Sequence, residues 1–369
     1  MKRMLMTLPF VTMLLGSCIE PPLHLPDEEY MVEATIEVTV NVEADWTADW
    51  YYGWDDEDRQ LFGDSLGYSA LPSAFQMRRY FTGSTAGGSH TSVLSDAISG
   101  YTYKGTFDWG YWDMLFWNDI VTSDGIQSLH IDEQSTLDYV TASTGQTMNA
   151  ARYQAPKYTR SFYQPEELFA GYATGIDINK DLKGFTYDEE RNVWVKNLNV
   201  KLQPLTYIYL TQVIIHHNNG KITGVDGNGN LSGMAQSVNM NTGVTGSDPI
   251  TVHYYVRFKT GCNKNGESVD IAGGKLLTFG MCNVNANRAT ENYDDNVHHY
   301  MDVNFQFNNG NDSTFVFDVT DQVRKKYHGG VITVELDADT LKIPSRAGGS
   351  GFDAVVKEFE DGGTHEFEM

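Results

Sequence analysis

The longest clean alternation in the chain runs over Glu33–Trp46 (EATIEVTVNVEADW). Ile36, Val38, Val40, Val42 and Ala44 alternate with Glu37, Thr39, Asn41 and Glu43. A period of two with β-branched residues on one parity predicts a half-buried strand. The same reasoning predicts strands at Phe75–Phe81 and at the aromatic-rich Thr106–Trp117, which stops at the turn pair Asn118-Asp119. Further strands are expected at Arg191–Leu202, Tyr207–Ile215, Lys221–Val225, Thr251–Lys259, Lys275–Val284, Tyr300–Phe307, Ser313–Val319, Val331–Leu336 and Gly351–Phe359. Asn218-Asn219-Gly220 reads as a hairpin turn between two of them. Helix signals are few. Thr320–His328 is the best, with Thr320 as cap, Asp321 in the first turn and basic residues before Gly329. Leu231–Ser237 and Glu166–Ala170 read as short helical turns, and 122–187 as polar and irregular. Many short strands with Gly and Asn turns predict an all-β protein of sandwiches. No fixed-period repeat is present, which argues against propellers and solenoids. A division near 195 gives an N-terminal β-sandwich domain over 33–195 and a C-terminal one over 196–369.

The beginning of the chain has a different pattern. Lys2 and Arg3 precede a twelve-residue apolar stretch, Met4–Leu15, followed at once by Leu15-Gly16-Ser17-Cys18. Twelve residues are too few to span a bilayer and suit a secretory signal. Small residues before a lone Cys resemble the lipobox of bacterial lipoproteins. That resemblance implies a signal peptide over 1–17, acylation of Cys18 and a lipid-anchored protein of the cell outer membrane. Residues 18–32, with Pro21, Pro22, Pro26 and Asp27-Glu28-Glu29, read as an extended, solvated tether. The 369 residues carry 26 Lys plus Arg against 49 Asp plus Glu, a net charge of -23 that argues against nucleic acid as a partner.

A lipobox, an acidic tether and a long opening strand come first, then YTYKGTFDWGYWDMLFWND (Tyr101–Asp119) and PEELFAG (Pro165–Gly171). NVKLQPLTYIYLTQVII (Asn199–Ile215) and GNLSGMAQSVNMNTGVTG (Gly229–Gly246) follow. The end is FDVTDQVRKKYHGGVITVEL (Phe317–Leu336) and GGSGFDAVVKEFE (Gly348–Glu360). In this order the segments resemble the fimbrillin-like lipoproteins of Gram-negative gut and oral bacteria, nearest to the anchor-subunit type and an uncharacterised branch beside it. The resemblance implies two tandem Greek-key, transthyretin-like β-sandwich domains and a structural, anchoring or accessory role in fimbriae. It implies other fimbrial subunits as partners by strand exchange, no catalytic residues and no cofactor. In polymerising members an arginine-specific cut removes the first strand and opens a groove for a donated one. The first Arg after the opening strand here is Arg59, in an acidic run (Asp55–Gln60) that also reads as an ordinary surface loop. The opening strand Ile36–Ala44 and the final segment Phe352–Met369 are the candidates for exchange.

Trp46, Trp50 and Trp54 recur every four residues. They form either a sugar-stacking platform, which would suit a glycan-binding lipoprotein of a nutrient-uptake system, or part of the core. Cys262 and Cys282 are the cysteines left after lipidation and are candidates for a disulfide outside the cytoplasm. Asp177, Asn179 and Asp181, and again Asp226, Asn228 and Asn230, have the spacing that opens a calcium loop, but Leu182 and Asp188 stand where the first needs Gly and Glu, and the second, with glycines between, also reads as a tight turn, so no metal is expected. The pairs His216-His217 and His298-His299 are expected to point to opposite faces of strands. No GxSxG, HExxH or P-loop is present, so an enzymatic reading has no motif behind it.

Overall fold

The structure, a computed structural model, describes residues 32–40, 67–68, 72–120, 127–133, 136–145, 161–179, 181–190, 193–284, 296–344 and 354–356. In chain order the strands of the first half are β1 (Val32–Val40), β2 (Ala74–Gly83), β3 (Ser92–Ser99), β4 (Thr102–Phe107), β5 (Gly110–Asn118), β6 (Leu129–Asp132), β7 (Thr141–Thr144), β8 (Ser161–Tyr163), β9 (Phe169–Ile178), β10 (Thr186–Asp188) and β11 (Val193–Pro204). The remainder are β12 (Tyr207–His216), β13 (Ile222–Ala235), β14 (Ser237–Asn239), β15 (Pro249–Tyr255), β16 (Arg257–Lys264), β17 (Glu267–Thr278), β18 (Tyr300–Phe307), β19 (Asp312–Asp318), β20 (Gly330–Asp337) and β21 (Ala354–Val356). One short helix, α1 (Thr320–Lys325), precedes β20. Among the described residues no helix is long and apolar enough to cross a membrane.

The first sheet has the order β3-β2-β5-β9-β11-β1-β4, with β10 on β11. Alternation decides what it covers: Phe75 and Met77 of β2 join Ile98, Phe107, Trp112, Met114, Phe116, Val200 and Leu202 in one core. Because the side chains come from both ends of the sheet, the sheet must curl over this core, and its end strands β3 and β4 meet. The expected single strand Thr106–Trp117 is therefore two strands in different places. Gly110 makes the corner at φ +146°, where a Cβ would lie 2.5 Å from the Phe81 ring and 2.6 Å from the Gly83 carbonyl.

The second half pairs a sheet β16-β17-β12-β20 with a sheet β21-β19-β18-β13-β15-β8. Tyr209, Val213, Ile215, Leu276 and Val334 from the first face Leu231, Val252, Val303, Phe305 and Phe317 from the second. Each such side chain stabilises the fold by about 1.5–3 kcal/mol on leaving water. The turn at Asn218-Asn219-Gly220 is present, but it does not close a hairpin. His217, Asn219 and Gly220 take φ of 50°, 45° and 75°, and the chain crosses from one sheet to the other. The Asn218 side chain secures the crossing: its Oδ1 accepts from Ile222 N and its Nδ2 donates to Ile222 O, both at 2.7 Å.

Three other expectations are corrected. Leu231–Ala235 is strand in β13 and Ser237 opens β14, while Phe169–Ala170 opens β9, so neither predicted helical turn forms. Thr320 is not the cap of α1: Asp318 Oδ1 accepts from Thr320 N at 3.0 Å, while the Thr320 hydroxyl accepts from His299 N at 2.9 Å. The polar stretch 122–187 holds β6 to β10. Its β6 and β7 pair with β14 in a small sheet, whose Leu129, Ala142 and Val238 share a core with Tyr80, Leu115 and Trp117 of the first sheet. β11 runs unbroken through 195 and 196 to Pro204, and the chain enters the next sheet at Tyr207.

Candidate strand-exchange site

β1 lies between two strands. It pairs in parallel with β11 from Val32↔Trp194 to Val40↔Leu202, and antiparallel with β4 from Val32↔Phe107 to Glu37↔Thr102. The register sets Ile36, Val38 and Val40 opposite Leu198, Val200 and Leu202, the positions of β11 that face the first core. Among the described residues β1 is the one strand that hydrogen-bonds β4 into the sheet. Taking β1 away would leave the inner edges of β4 and β11 unpaired, one strand width apart.

A buried cation holds β4 from the other side. Arg79 of β2 is 8 % exposed. Its Nε and Nη2 donate to Asp96 Oδ2 at 2.8 and 2.7 Å, and its Nη1 donates to Thr106 O at 3.0 Å. Tyr103 donates to Asp96 Oδ1 at 3.1 Å, and the guanidinium lies 4.7 Å from the centre of the Phe107 ring. Burial, with Asp96 beside it, holds the Tyr103 phenol above its usual range. A guanidinium with a carboxylate, a carbonyl and an aromatic face satisfied at once is a tolerable buried charge. Arg79 thus joins β2, β3 and β4 where the sheet's ends meet. It was not singled out in the sequence.

Cys18, Arg59, Trp46, Trp50 and Trp54 lie outside the described residues. Beyond Arg59, Tyr68 is docked: its hydroxyl donates to Thr206 O, its ring meets Phe169 edge-on at 5.0 Å, and Lys275 donates to Gly67 O. At the far end of the chain, β21 adds in parallel to β19, Phe315↔Ala354 to Phe317↔Val356. The structure does not form the candidate disulfide. Cys262 and Cys282 are both thiols. Cys262 packs beside Ile214, Val269 and Ile271, whereas Cys282 belongs to the core around Tyr80 and Phe279.

The first histidine pair also differs from expectation. His217 has left the strand with φ +50°, and both imidazoles turn toward Glu267, His216 Nδ1 at 2.9 Å and His217 Nε2 at 3.9 Å. His217 Nδ1 is 3.1 Å from Asp337 Oδ1, and this contact raises the imidazole pKa. His217, Asp337 and Asp339 have metal-ligand spacing, but Lys221 already stands 3.6 Å from Asp339. His299 is buried and pushed down to about 4 by desolvation, so it is neutral. Asp177, Asn179 and Asp181 bond among themselves: Asn179 donates to Asp177 at 2.6 Å and accepts from Asp181 N at 3.1 Å. An aromatic pair the sequence did not single out, Tyr187 (42 % exposed) and Trp194 (37 % exposed), packs across β10 and β11 at 5.2 Å.

No family model matches the sequence, and no curated protein matches it. Among solved structures the chain is similar to a candidate adhesin from Bacteroides ovatus, at 15 % identity over 86 % of this chain and 96 % of that one, with a TM-score of 0.48. It is similar to a candidate adhesin from Bacteroides thetaiotaomicron, at 9 % identity over 84 % and 93 %, TM-score 0.43. It is also similar to the fimbrial anchor protein Mfa2 from Porphyromonas gingivalis, at 10 % identity over 84 % and 91 %, TM-score 0.39.

Proposed function

We propose that the protein is a non-enzymatic surface lipoprotein of fimbrillin type, anchored through Cys18 and joined to other fimbrial subunits by strand addition. The observation that carries this reading is the position of β1 as the hydrogen-bonded link between β4 and β11. An extended strand recognises such a slot by its backbone amides and by side chains of alternating parity. With β1 kept, the slot is closed and the chain serves as an anchor or accessory subunit. With β1 cut away at Arg59, it accepts a donated strand and the chain polymerises, but the lipid is lost with the cut piece. Mass spectrometry of the protein from its native envelope separates the two. An acylated Cys18 joined to residues 33–46 supports the anchor, and an amino terminus at Gln60 supports the polymerising subunit. An unacylated chain that keeps residues 33–46 refutes both.

A second reading, glycan capture, is favoured by the exposed Tyr187–Trp194 pair, since aromatic faces exposed side by side suit sugar rings. Binding on a glycan array that disappears in Trp194→Ala supports it, and an array that stays silent with the unaltered protein removes it.

A further inference from the structure

A different part of the molecule carries an unexplained charge. In β13, Val225 pairs with Phe305 and Gly229 with Val303, so Asp226, Gly227 and Asn228 bulge out opposite the single residue Asn304 of β18. Bulges re-aim side chains and mark functional positions more often than chance. Val303 and Phe305 face the core, so Asp302 and Asn304 lie on the opposite face of the sheet, beside Asn230 and His253. Asn230, Asp302 and Asn304 are nevertheless only 3 %, 5 % and 4 % exposed.

The hydrogen bonds orient these groups. Asn304 Nδ2 donates to Asp312 Oδ2 at 3.0 Å and to Thr314 Oγ1 at 3.1 Å, both on β19. A carboxylate only accepts, so the amide cannot be turned over. Its Oδ1 must then point away from β19, toward β13 and the bulge, and this buried oxygen has no hydrogen-bond partner. Asp302 Oδ1 accepts from Asn230 Nδ2 at 2.8 Å. Among the described residues no Lys or Arg pairs with Asp302. His253, 3.3 Å from Asn230 Oδ1, is lowered by burial and brings no positive charge. Asp226 stands in the bulge beside β18, and its negative charge disfavours ionisation of Asp302. Burial, and after it Asp226, pushes Asp302 up to about 7.

We propose that the β13 bulge and β18 form a site for a hard divalent cation of the calcium class, held by the carboxylates of Asp226 and Asp302 and the amide oxygen of Asn304. All three donors are oxygens, which select calcium over softer metals. The cation would neutralise two clustered carboxylates and give Asn304 Oδ1 its partner. This is not the linear loop that the spacing of Asp226, Asn228 and Asn230 suggests. Asn230 is committed to Asp302, and Asn228 is exposed, with its backbone N donating to Asp226 Oδ1.

The test uses the full chain stripped with EDTA and held above neutral pH. Thermal unfolding is followed as CaCl₂ or MgCl₂ is added, and Tb³⁺ luminescence sensitised by Tyr and Trp reports direct binding. Calcium is expected to raise the midpoint by a few degrees, magnesium to raise it less, and calcium to displace Tb³⁺. Asp302→Asn and Asp226→Asn should each abolish the calcium-dependent rise. If Asp302→Asn does not fold, the half-buried Asp226→Asn decides. An unaltered protein whose midpoint ignores calcium, or a rise that survives in Asp226→Asn, overturns the proposal.

Discussion

Replacing Asp302 with Asn removes one proton-binding group at nearly constant volume. In the folded chain Asp302 ionises at about 7, against 3.8 for an ordinary Asp. Desolvation is the larger cause, and the charge of Asp226 adds to it. A raised carboxyl pKa means that the folded state binds the proton more tightly than the unfolded chain. The stabilisation from that proton is complete below the unfolded value and is lost as pH rises through the folded one. Roughly three pH units at ~1.4 kcal/mol each make the loss about 4 kcal/mol, a ceiling that water entry and relaxation reduce. Asn at 302 can still accept from Asn230 and carries no charge, so the variant escapes the loss. Urea unfolding followed by Trp fluorescence, with EDTA present throughout, measures the difference between variant and parent. It should be near zero at about pH 4 and reach ~2–4 kcal/mol in favour of the variant at about pH 8. A difference that stays level across that range, or that favours the parent at high pH, refutes the assignment of Asp302 as a buried and poorly compensated charge.

Arg79→Met leaves the Thr106 carbonyl without its side-chain donor and the Asp96 charge with Tyr103 but no cation, and breaking a buried pair from one side should cost about 3–5 kcal/mol; adding Asp96→Asn should restore part of it, and denaturation of the single and double variants checks both. Glu166 accepts from Ser128 N and Leu129 N, each at 2.7 Å, so Glu166→Ala should destabilise by about 2 kcal/mol and show as a lowered melting midpoint. Gly110→Ala forces a Cβ against Phe81 and the Gly83 carbonyl and should reduce the yield of folded protein, whereas Gly227→Ala, with open space around it, should be felt through its φ of +86° alone. Alkylation in urea without reductant should label both Cys262 and Cys282, and labelling that requires reductant would contradict their separate placement.

Strand content was legible because alternation is local. Phe75–Phe81, Tyr207–Ile215, Tyr300–Phe307 and, but for Val319, Ser313–Val319 fall in strands, since each carries its own apolar pattern. Pairing was not legible, because neither local parity nor turn type says which strand lies alongside. The Asn-Asn-Gly turn shows this: its left-handed residues are readable, but hydrogen bonds from Asn218 make it a crossing between sheets. Leu231–Ser237 misled because Gly233 and Ser232 interrupt the alternation, while Met234 and Ala235 are buried from both sides. The buried polar groups were the least visible. Arg79 and Asp302 look like surface charges until the sheet curls, or a bulge opposite them, encloses them.

The placement of Tyr68 bears on the choice between anchor and polymerising subunit. A cut at Arg59 would separate β1, with its ladders to β4 and β11, from the rest of the chain, while the new end would stay pinned eight residues later, where Tyr68 meets Thr206 and Phe169. Arg79 would still tie Thr106 to β2 and β3. The slot would thus keep both walls after β1 leaves, which is what an incoming strand requires. A slot with fixed walls also resists spontaneous loss of β1, because its nine-residue ladder on β11 and the pairs on β4 must open together. Amide hydrogen exchange distinguishes these cases. In the uncut chain the amides of 102–107 and 194–202 should exchange slowly and in concert. After cleavage at Arg59 and removal of β1, exchange should rise on those two segments while Tyr68 and the Leu205–Tyr207 connection stay protected. If protection at 205–207 falls with them, the walls are not fixed independently of β1, and the slot cannot be the site of strand addition in this form.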